Sequence, residues 1–92
     1  NLSRGEVLIY IKTFFRQLVL HGYHDYMLYS YTHFLNDHLP INHSLEYIKV
    51  WLADYNEPHF VPNGWEAITL LQYTDKGIVQ GIKGNVDLNR YV

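Results

Sequence analysis

The segment spanning residues 3–22 constrains the fold more than any other, because it predicts one long amphipathic helix. Ser3 and Glu6 stand three positions apart, so each side chain can bond the backbone amide of the other in a capping box. The apolar residues that follow recur at helical spacing: Val7, Ile11, Phe14 and Leu18. Gly22 stands where glycine commonly ends a helix. The fold must therefore pack one face of this helix.

The length and composition are those of one small globular domain. The chain has 92 residues, of which 48% are hydrophobic and 17% are charged, a balance that favours a packed core over disorder. We expect a single domain over residues 1–92. Because the chain begins with Asn1 instead of Met, it could also be a piece of a longer protein.

Two further helices are predicted in the middle of the chain. Apolar residues recur at helical spacing over residues 24–38, and Pro40 ends this run because the residue before a proline avoids helical torsions. Asn42 and Ser44 are both residue types that cap a third helix. The side chains of its apolar face are those of Leu45, Ile48, Leu52 and Tyr55. Together with the first helix, these segments predict a three-helix bundle.

The segment of residues 65–74 fits a helix better than a strand. A helix places its apolar side chains on one face, whereas the alternation expected of a strand fails at the pair Leu70 and Leu71. Gly77 would end this short helix, with Asp75 and Lys76 before it. A strand over the same residues is the alternative interpretation.

A β-hairpin is predicted at the C-terminal end of the chain. Residues 78–83 and 86–91 are two short strand-like runs, separated by Gly84 and Asn85. Such a pair is typical of a tight hairpin, because glycine tolerates the positive φ that the turn requires.

The run AITLLQYTDKGIVQGIKG resembles the end of the recognition helix and the first wing strand of winged-helix domains. The resemblance rests on a leucine-rich helix end, a polar pair, Gly77, and the apolar pair Ile78 and Val79 entering a hairpin. It implies an α+β fold in which a three-helix bundle is followed by a short helix (or strand) and a C-terminal β-hairpin. The first function hypothesis is therefore a non-enzymatic interaction module of winged-helix type.

An aromatic surface would carry that interaction. Aromatic residues make up 16% of the chain and nine of them are tyrosines, too many to bury in so small a domain. We expect an exposed patch that mediates dimerisation or binds a protein partner, because exposed apolar patches are often contact sites. Its residues are predicted to be Ile9, Leu20, Tyr23, Tyr26 and Tyr29.

The alternative hypothesis is a DNA-binding transcriptional regulator, since winged-helix domains place the helix before the wing in the major groove. This resemblance implies contacts to DNA by residues of the segment 65–74 and the hairpin: Thr69, Gln72, Lys76, Lys83 and Arg90. The net charge is −2 and the segment 65–74 has neither Lys nor Arg, which argues against a nucleic-acid partner.

The third hypothesis is a small metal-dependent enzyme that uses some of the six histidines. His33 and Asp37 stand four apart on a predicted helix, so they share a face and could coordinate one side of a metal ion. The spacings of known metal and catalytic motifs do not occur, so we expect no catalytic residues and no cofactor.

The sequence also predicts a cytoplasmic protein that does not bind a membrane. Without cysteine there are no disulfides, which permits a reducing compartment. No apolar run approaches the roughly 20 residues needed to cross a bilayer. Lys12 and Arg16 interrupt the only N-terminal apolar stretch, which excludes a signal-peptide pattern.

Overall fold

The computed structural model describes residues 2–92, which form two helices and one four-stranded sheet. The elements are α1 (Arg4–Leu20), β1 (Leu28–Ser30), α2 (Thr32–His38), β2 (Val50–Ala53), β3 (Leu70–Gly77) and β4 (Val86–Tyr91). The strands lie side by side in chain order; β1, β2 and β3 are parallel, and β4 is antiparallel to β3. The predicted three-helix bundle is therefore wrong.

Helix α1 begins and ends where the sequence predicts. The Glu6 amide donates to the Ser3 hydroxyl oxygen over 3.1 Å, and the Ser3 amide donates to the Glu6 carboxylate over 3.0 Å. This bond from the Ser3 amide is the main cause that lowers the pKa of Glu6. Gly22 follows the C-cap residue His21 with a φ of +90°, the left-handed conformation that favours glycine.

The second and third predicted helices are wrong, because strand pairing takes over part of each. In place of one helix over residues 24–38, β1 pairs with β2 and only the seven-residue α2 is helical. In the third segment, Val50 and Leu52 are buried while Trp51 and Ala53 are half-buried, which is the two-residue period of a strand. The apolar residues before this strand lie in turns, so their helical spacing is coincidental.

The helix predicted over residues 65–74 is also wrong, because β3 begins at Leu70 and continues through Gly77. Leu71 and Gln72 are both buried, on opposite faces of the strand. A strand between two neighbours is often covered on both faces, so its sequence need not alternate. The pair Asp75 and Lys76 lies inside the strand and ends no helix.

The C-terminal hairpin exists, but its strands and turn differ from those predicted. Residues 86–91 form β4, whereas residues 78–83 form no strand and belong to the loop that joins β3 to β4. Gly81 and Gly84 both adopt positive φ in this loop. The hairpin therefore turns through a longer loop than the pair Gly84 and Asn85 indicates.

The hydrophobic core lies between the helices and one face of the sheet. Its buried side chains come from both helices, from the strands β2 and β3 and from loops: Phe15, Leu35, Leu39, Leu45, Ile48, Val50, Leu52, Trp65, Ile68 and Leu71. Burying each such side chain contributes about 1.5–3 kcal/mol. Among residues 2–92, neither helix has the length and hydrophobicity required to span a membrane.

A buried histidine fixes the loop before β3. The Nδ1 atom of His43 accepts from the Leu45 amide over 2.8 Å, so the ring proton is on Nε2, which donates to the Asn63 carbonyl over 2.7 Å. The ring also packs against Trp65, with centroids 4.5 Å apart. Gly64 has a φ of +87°, and a Cβ atom there would lie 2.3 Å from Nε2. Only glycine fits between the loop and this ring.

A buried carboxylate fixes the loop after β2. Asp54 accepts hydrogen bonds from the Asn56 amide (2.9 Å), the Asn56 side-chain nitrogen (2.6 Å) and the Phe60 amide (2.8 Å). Burial raises the pKa of Asp54, but the hydrogen bonds from Phe60 and Asn56 and the charge of His59 together lower it below its ordinary value. The ionised carboxylate therefore holds the loop closed.

Gly64→Ala should destabilise the protein strongly, because the new methyl group meets the His43 ring and the left-handed backbone is strained. We expect a loss of about 3 kcal/mol or more in the free energy of unfolding, measured by urea denaturation. The matched control is Gly81→Ala, which has a φ of +91° but open space around the added Cβ atom. Its loss should be about 1 kcal/mol. Equal losses in the two variants would contradict the steric argument.

Asp54 should make the stability depend on pH in the acid range. Its folded pKa lies below the ordinary value of 3.8, so its contribution is complete above that value and is lost as the pH falls through the folded pKa. Urea denaturation at a series of pH values from about 6 down to about 3 should show this loss. Asp54→Asn should lower the stability at neutral pH and flatten the acid slope. The exposed control Asp37→Asn should keep the slope that Asp54 causes.

Candidate functional site

One residue from each strand contributes to a polar row on the face of the sheet opposite the core. The row consists of Tyr29 in β1, Trp51 in β2, Gln72 in β3 and Asn89 in β4. Tyr29 is paired with Trp51, and Gln72 with Asn89, so the members of each pair project from the same face. We call these four residues the polar row.

Hydrogen bonds orient the Gln72 side chain and, through it, Tyr55. The Tyr29 hydroxyl donates to Gln72 Oε1, which leaves the Nε2 atom to donate to the Tyr55 hydroxyl oxygen over 3.0 Å. Because Tyr55 accepts this bond, its own proton is available for another acceptor. Gln72 is only 3% exposed, so these two bonds satisfy a side chain that would otherwise be costly to bury. Tyr55 is thus presented as an oriented donor.

The other half of the polar row orients Asn89. The Trp51 indole nitrogen donates to Asn89 Oδ1 over 2.8 Å, so the Asn89 amide hydrogens point to other acceptors. The Trp51 ring contacts the Tyr29 ring edge-on, with centroids 4.7 Å apart. This end of the face therefore combines two aromatic rings with an oriented amide donor.

Two carboxylates act electrostatically on Tyr55. Partial burial raises the pKa of the Tyr55 phenol, and the negative charges of Asp75 and Asp87 raise it further, together with Tyr29. The hydrogen bond from Gln72 acts in the opposite direction and is the smaller effect. Tyr55 therefore stays a neutral phenol in a negative electrostatic field.

Irregular pairing in the hairpin places these carboxylates on neighbouring strands. Between the pairs Thr74–Leu88 and Gly77–Val86, two residues of β3, Asp75 and Lys76, face Asp87 of β4. A second irregularity lies next to it, at Tyr73. Such bulges redirect side chains and are frequent beside active sites.

Two other acidic side chains are already engaged in local structure. Both carboxylate oxygens of Asp54 accept bonds from its own loop, and Glu6 is bonded in the capping box of α1. An apolar groove of about 530 Å³ runs along α1, and Glu6 is the only acidic residue that lines it. Asp75 and Asp87 are the carboxylates of the hairpin beside the polar row, and Asp25 lines a pocket with Trp51 and Leu70.

The residues predicted to contact DNA do not form one group around the site. Gln72 lies in the polar row, where it orients Tyr55. Thr69 precedes β3 and uses its amide and carbonyl to pair with Val50 and Val92. The basic residues lie along the hairpin: Lys76 in β3, Lys83 in the connecting loop and Arg90 in β4.

The predicted aromatic surface is divided between different parts of the fold. Ile9, Leu20 and Tyr23 are exposed on α1 or just after it. Tyr26 packs against Phe15, with centroids 4.9 Å apart, and Tyr29 belongs to the polar row. A common contact surface for these residues stays a prediction.

The predicted metal pair lies on α2. Within the described part of the chain, no group of three or more His, Cys, Asp or Glu side chains is arranged to hold a metal ion. A metal held by His33 and Asp37 stays a prediction.

Sequence reasoning missed five residues of the site: Trp51, Tyr55, Asp75, Asp87 and Asn89. Part of the signal was present, because Asp87 and Asn89 stand two apart in a run that was predicted to be a strand. Their alternation with Leu88 would have placed both on one face. Asp75 and Tyr55 carry no such signal, since a bulge and a loop bring them to the site.

Comparison with known proteins identifies the family. Residues 1–82 match the model of the glycosyl hydrolases family 25. The autolytic lysozyme of Clostridium acetobutylicum is 34% identical over 67 residues, which are 73% of this chain and 19% of that protein.

Two solved structures share the fold. The bacterial lysozyme of Streptomyces coelicolor superimposes with a TM-score of 0.90 at 24% identity, over 99% of this chain and 43% of that one. The spore cortex lytic enzyme SleM of Clostridium perfringens does so with a TM-score of 0.81 at 28% identity, over 97% of this chain and 32% of that one. The chain thus spans less than half the length of these relatives.

These findings overturn the resemblance to winged-helix domains and the functions inferred from it. A match to a hydrolase family over most of the chain contradicts a non-enzymatic interaction module that dimerises or binds a protein partner. It equally contradicts a DNA-binding regulator and a metal-dependent enzyme built on the histidines. The observed sheet agrees with the structural match: the chain belongs to the glycosyl hydrolases family 25.

Proposed function

We propose that the protein hydrolyses glycosidic bonds of the peptidoglycan in bacterial cell walls, and that the polar row, Tyr55, Asp75 and Asp87 form part of its active site. The family match and the lytic enzymes among the relatives support this activity. The observation that carries the assignment to this face is the irregular pairing that sets Asp75 of β3 opposite Asp87 of β4, next to the pair of Gln72 and Asn89 in the polar row.

The chemistry of glycoside hydrolysis fits a negative field at this position. The reaction passes through a transition state with positive charge at the anomeric carbon, and most such enzymes use two carboxyl groups around the bond that breaks. Negative charge from Asp75 and Asp87 would stabilise that transition state more than the neutral substrate. Burial is the largest cause that raises the pKa of Tyr55, and the same field disfavours the phenolate further.

The neutral side chains at the site suit a sugar substrate. Tyr55 and Asn89 have donor hydrogens that are not used by Gln72 or Trp51, and these can bond sugar hydroxyl or amide oxygens. The Tyr29 and Trp51 rings supply an apolar surface against which the C–H face of a sugar ring can pack. Binding would thus combine oriented donors with aromatic contact.

Removing a flanking charge should lower the pKa of Tyr55, because the phenolate would then meet less negative charge. Asp87→Asn and Asp75→Asn should each shift Tyr55 titration toward the ordinary tyrosine range. The Tyr55 signal is obtained as the difference in phenolate absorbance between each protein and its Tyr55→Phe counterpart. Glu66→Gln, which removes an exposed carboxylate beside Trp65, is the control and should cause no shift. An unchanged Tyr55 titration in both aspartate variants would disprove the electrostatic contact.

The same aspartate variants should lose activity. We expect Asp87→Asn or Asp75→Asn to reduce the release of reducing ends from purified cell walls by about 100-fold or more, the usual effect of removing a catalytic carboxylate. Glu66→Gln should keep the wild-type rate. The assay uses the protein that contains this chain, with circular dichroism to confirm folding. Wild-type rates in both aspartate variants would refute the assignment, and an inactive wild type would refute the proposed function.

A further inference from the structure

A second cleft, of about 720 Å³, lies where the parallel strands β1 and β2 end. Functional sites of α/β folds gather at the carboxyl ends of such strands, where loops supply the side chains. The cleft is lined by residues of α2, of the end of β2 and of the loop that follows it, and we call it the distal cleft. Its lining residues that matter below are Tyr31, His33, Asn36, Tyr55, Asn56 and Phe60.

The loop that forms one wall of the distal cleft is fixed at several points. Asp54 accepts hydrogen bonds from both Asn56 and the Phe60 amide. The Thr32 hydroxyl donates to the Phe60 carbonyl, and the Asn36 side chain accepts from the Asn63 amide over 2.8 Å. The loop is therefore tied to β2 and to α2, so its side chains are held in place before a ligand arrives.

Aromatic rings in this fixed loop and at the start of α2 stay exposed. Phe60 is 60% exposed, and Tyr31 and Tyr55 are each 53% exposed. Exposing such rings forfeits the free energy of burying them, so a cluster of exposed rings on an ordered loop indicates a contact surface. The loop bonds hold the Phe60 backbone while leaving its ring in solvent.

The polar groups of the distal cleft favour an uncharged ligand. Amide and imidazole side chains are present at Asn36, Asn56 and His33, whereas neither lysine nor arginine is among the described residues that line the cleft. The one carboxylate in the lining, Asp54, is engaged by its own loop. Aromatic faces beside amide groups suit a sugar ring, which offers a C–H face and many hydroxyls.

Tyr55 connects the distal cleft with the polar row. Its ring lines the cleft, and its hydroxyl oxygen accepts from Gln72 in the row. A saccharide chain that lies on the polar row would thus continue into the distal cleft. A polymeric substrate requires a continuous binding surface, and Tyr55 joins the two parts of this one.

Resting on the proposed function, we infer that the distal cleft is a subsite that binds an uncharged sugar unit of the polysaccharide, beyond the two units joined by the bond that is cleaved, with the Phe60 ring as its platform. Phe60 is thereby a specificity-determining residue that selects long chains over short ones. Asp54 and Thr32 are positioning residues, because they hold the loop that carries Phe60.

The test compares a disaccharide and a hexasaccharide of the cell-wall glycan as substrates. Phe60→Ala should raise the KM for the hexasaccharide about tenfold, the effect of losing one aromatic contact, and leave the disaccharide unaffected. Phe60→Tyr keeps a ring and should retain the wild-type KM. Tyr10→Ala, which removes an exposed ring from α1, should change neither substrate. Equal effects of Phe60→Ala on both substrates, or no effect on either, would overturn the inference.

Direct binding separates this inference from the proposed function. The hexasaccharide should shift the ring NMR signals of His33 in the wild type, with an affinity about tenfold lower in Phe60→Ala. If the wild type does not hydrolyse cell walls and yet shows this Phe60-dependent binding, the proposed function fails and the sugar subsite stands. Absence of these shifts in an active wild type would overturn the subsite alone. Phe60-dependent self-association in sedimentation, without sugar binding, would instead assign the cleft to a second copy and also overturn it.

Discussion

The buried amide of Gln72 is the interaction on which the functional face depends. A side-chain amide within a sheet costs free energy unless both ends are bonded. Tyr29 from β1 bonds one end and Tyr55 from the loop after β2 bonds the other. The three parallel strands are thus joined on the polar face by one side chain, and the direction of its bonds decides that Tyr55 keeps a proton to donate.

The two faces of the sheet have different roles, since one packs the core and the other has the polar side chains. One face packs leucine and valine side chains into the core, which the helices and loops complete. The other face has a cross-strand row of aromatic and amide side chains, with Asp75 and Asp87 beside it at an irregular part of the hairpin. The irregular pairing loses some of the hydrogen bonds of a regular sheet. The parallel strands next to it stabilise the fold enough to tolerate this loss.

Buried polar groups fix both ends of the segment that joins β2 to β3, in addition to its buried apolar side chains Trp65 and Ile68. His43 bonds the loop before β3, and Asp54 bonds the loop after β2. Each interaction requires one protonation state: a neutral imidazole that accepts at Nδ1, and an ionised carboxylate. Fixed in this way, the loop after β2 presents Phe60 and Tyr55 to solvent, which connects the stability of the loop to the proposed recognition of a long substrate.

The sequence by itself determined the parts whose causes are local. Neighbouring residues determine the capping box and the terminal glycine of α1. They also indicate the strand β4, and the structure has all three features. Strands β1, β2 and β3 could not be predicted, because each is stabilised by a parallel partner far away in the chain, and the spacing of their apolar residues also fits a helix. The site depended on tertiary structure even more. Asp75 and Asp87 act on Tyr55 only because a bulge and a loop place the three residues on one side of the fold, and the linear sequence has no sign of this effect.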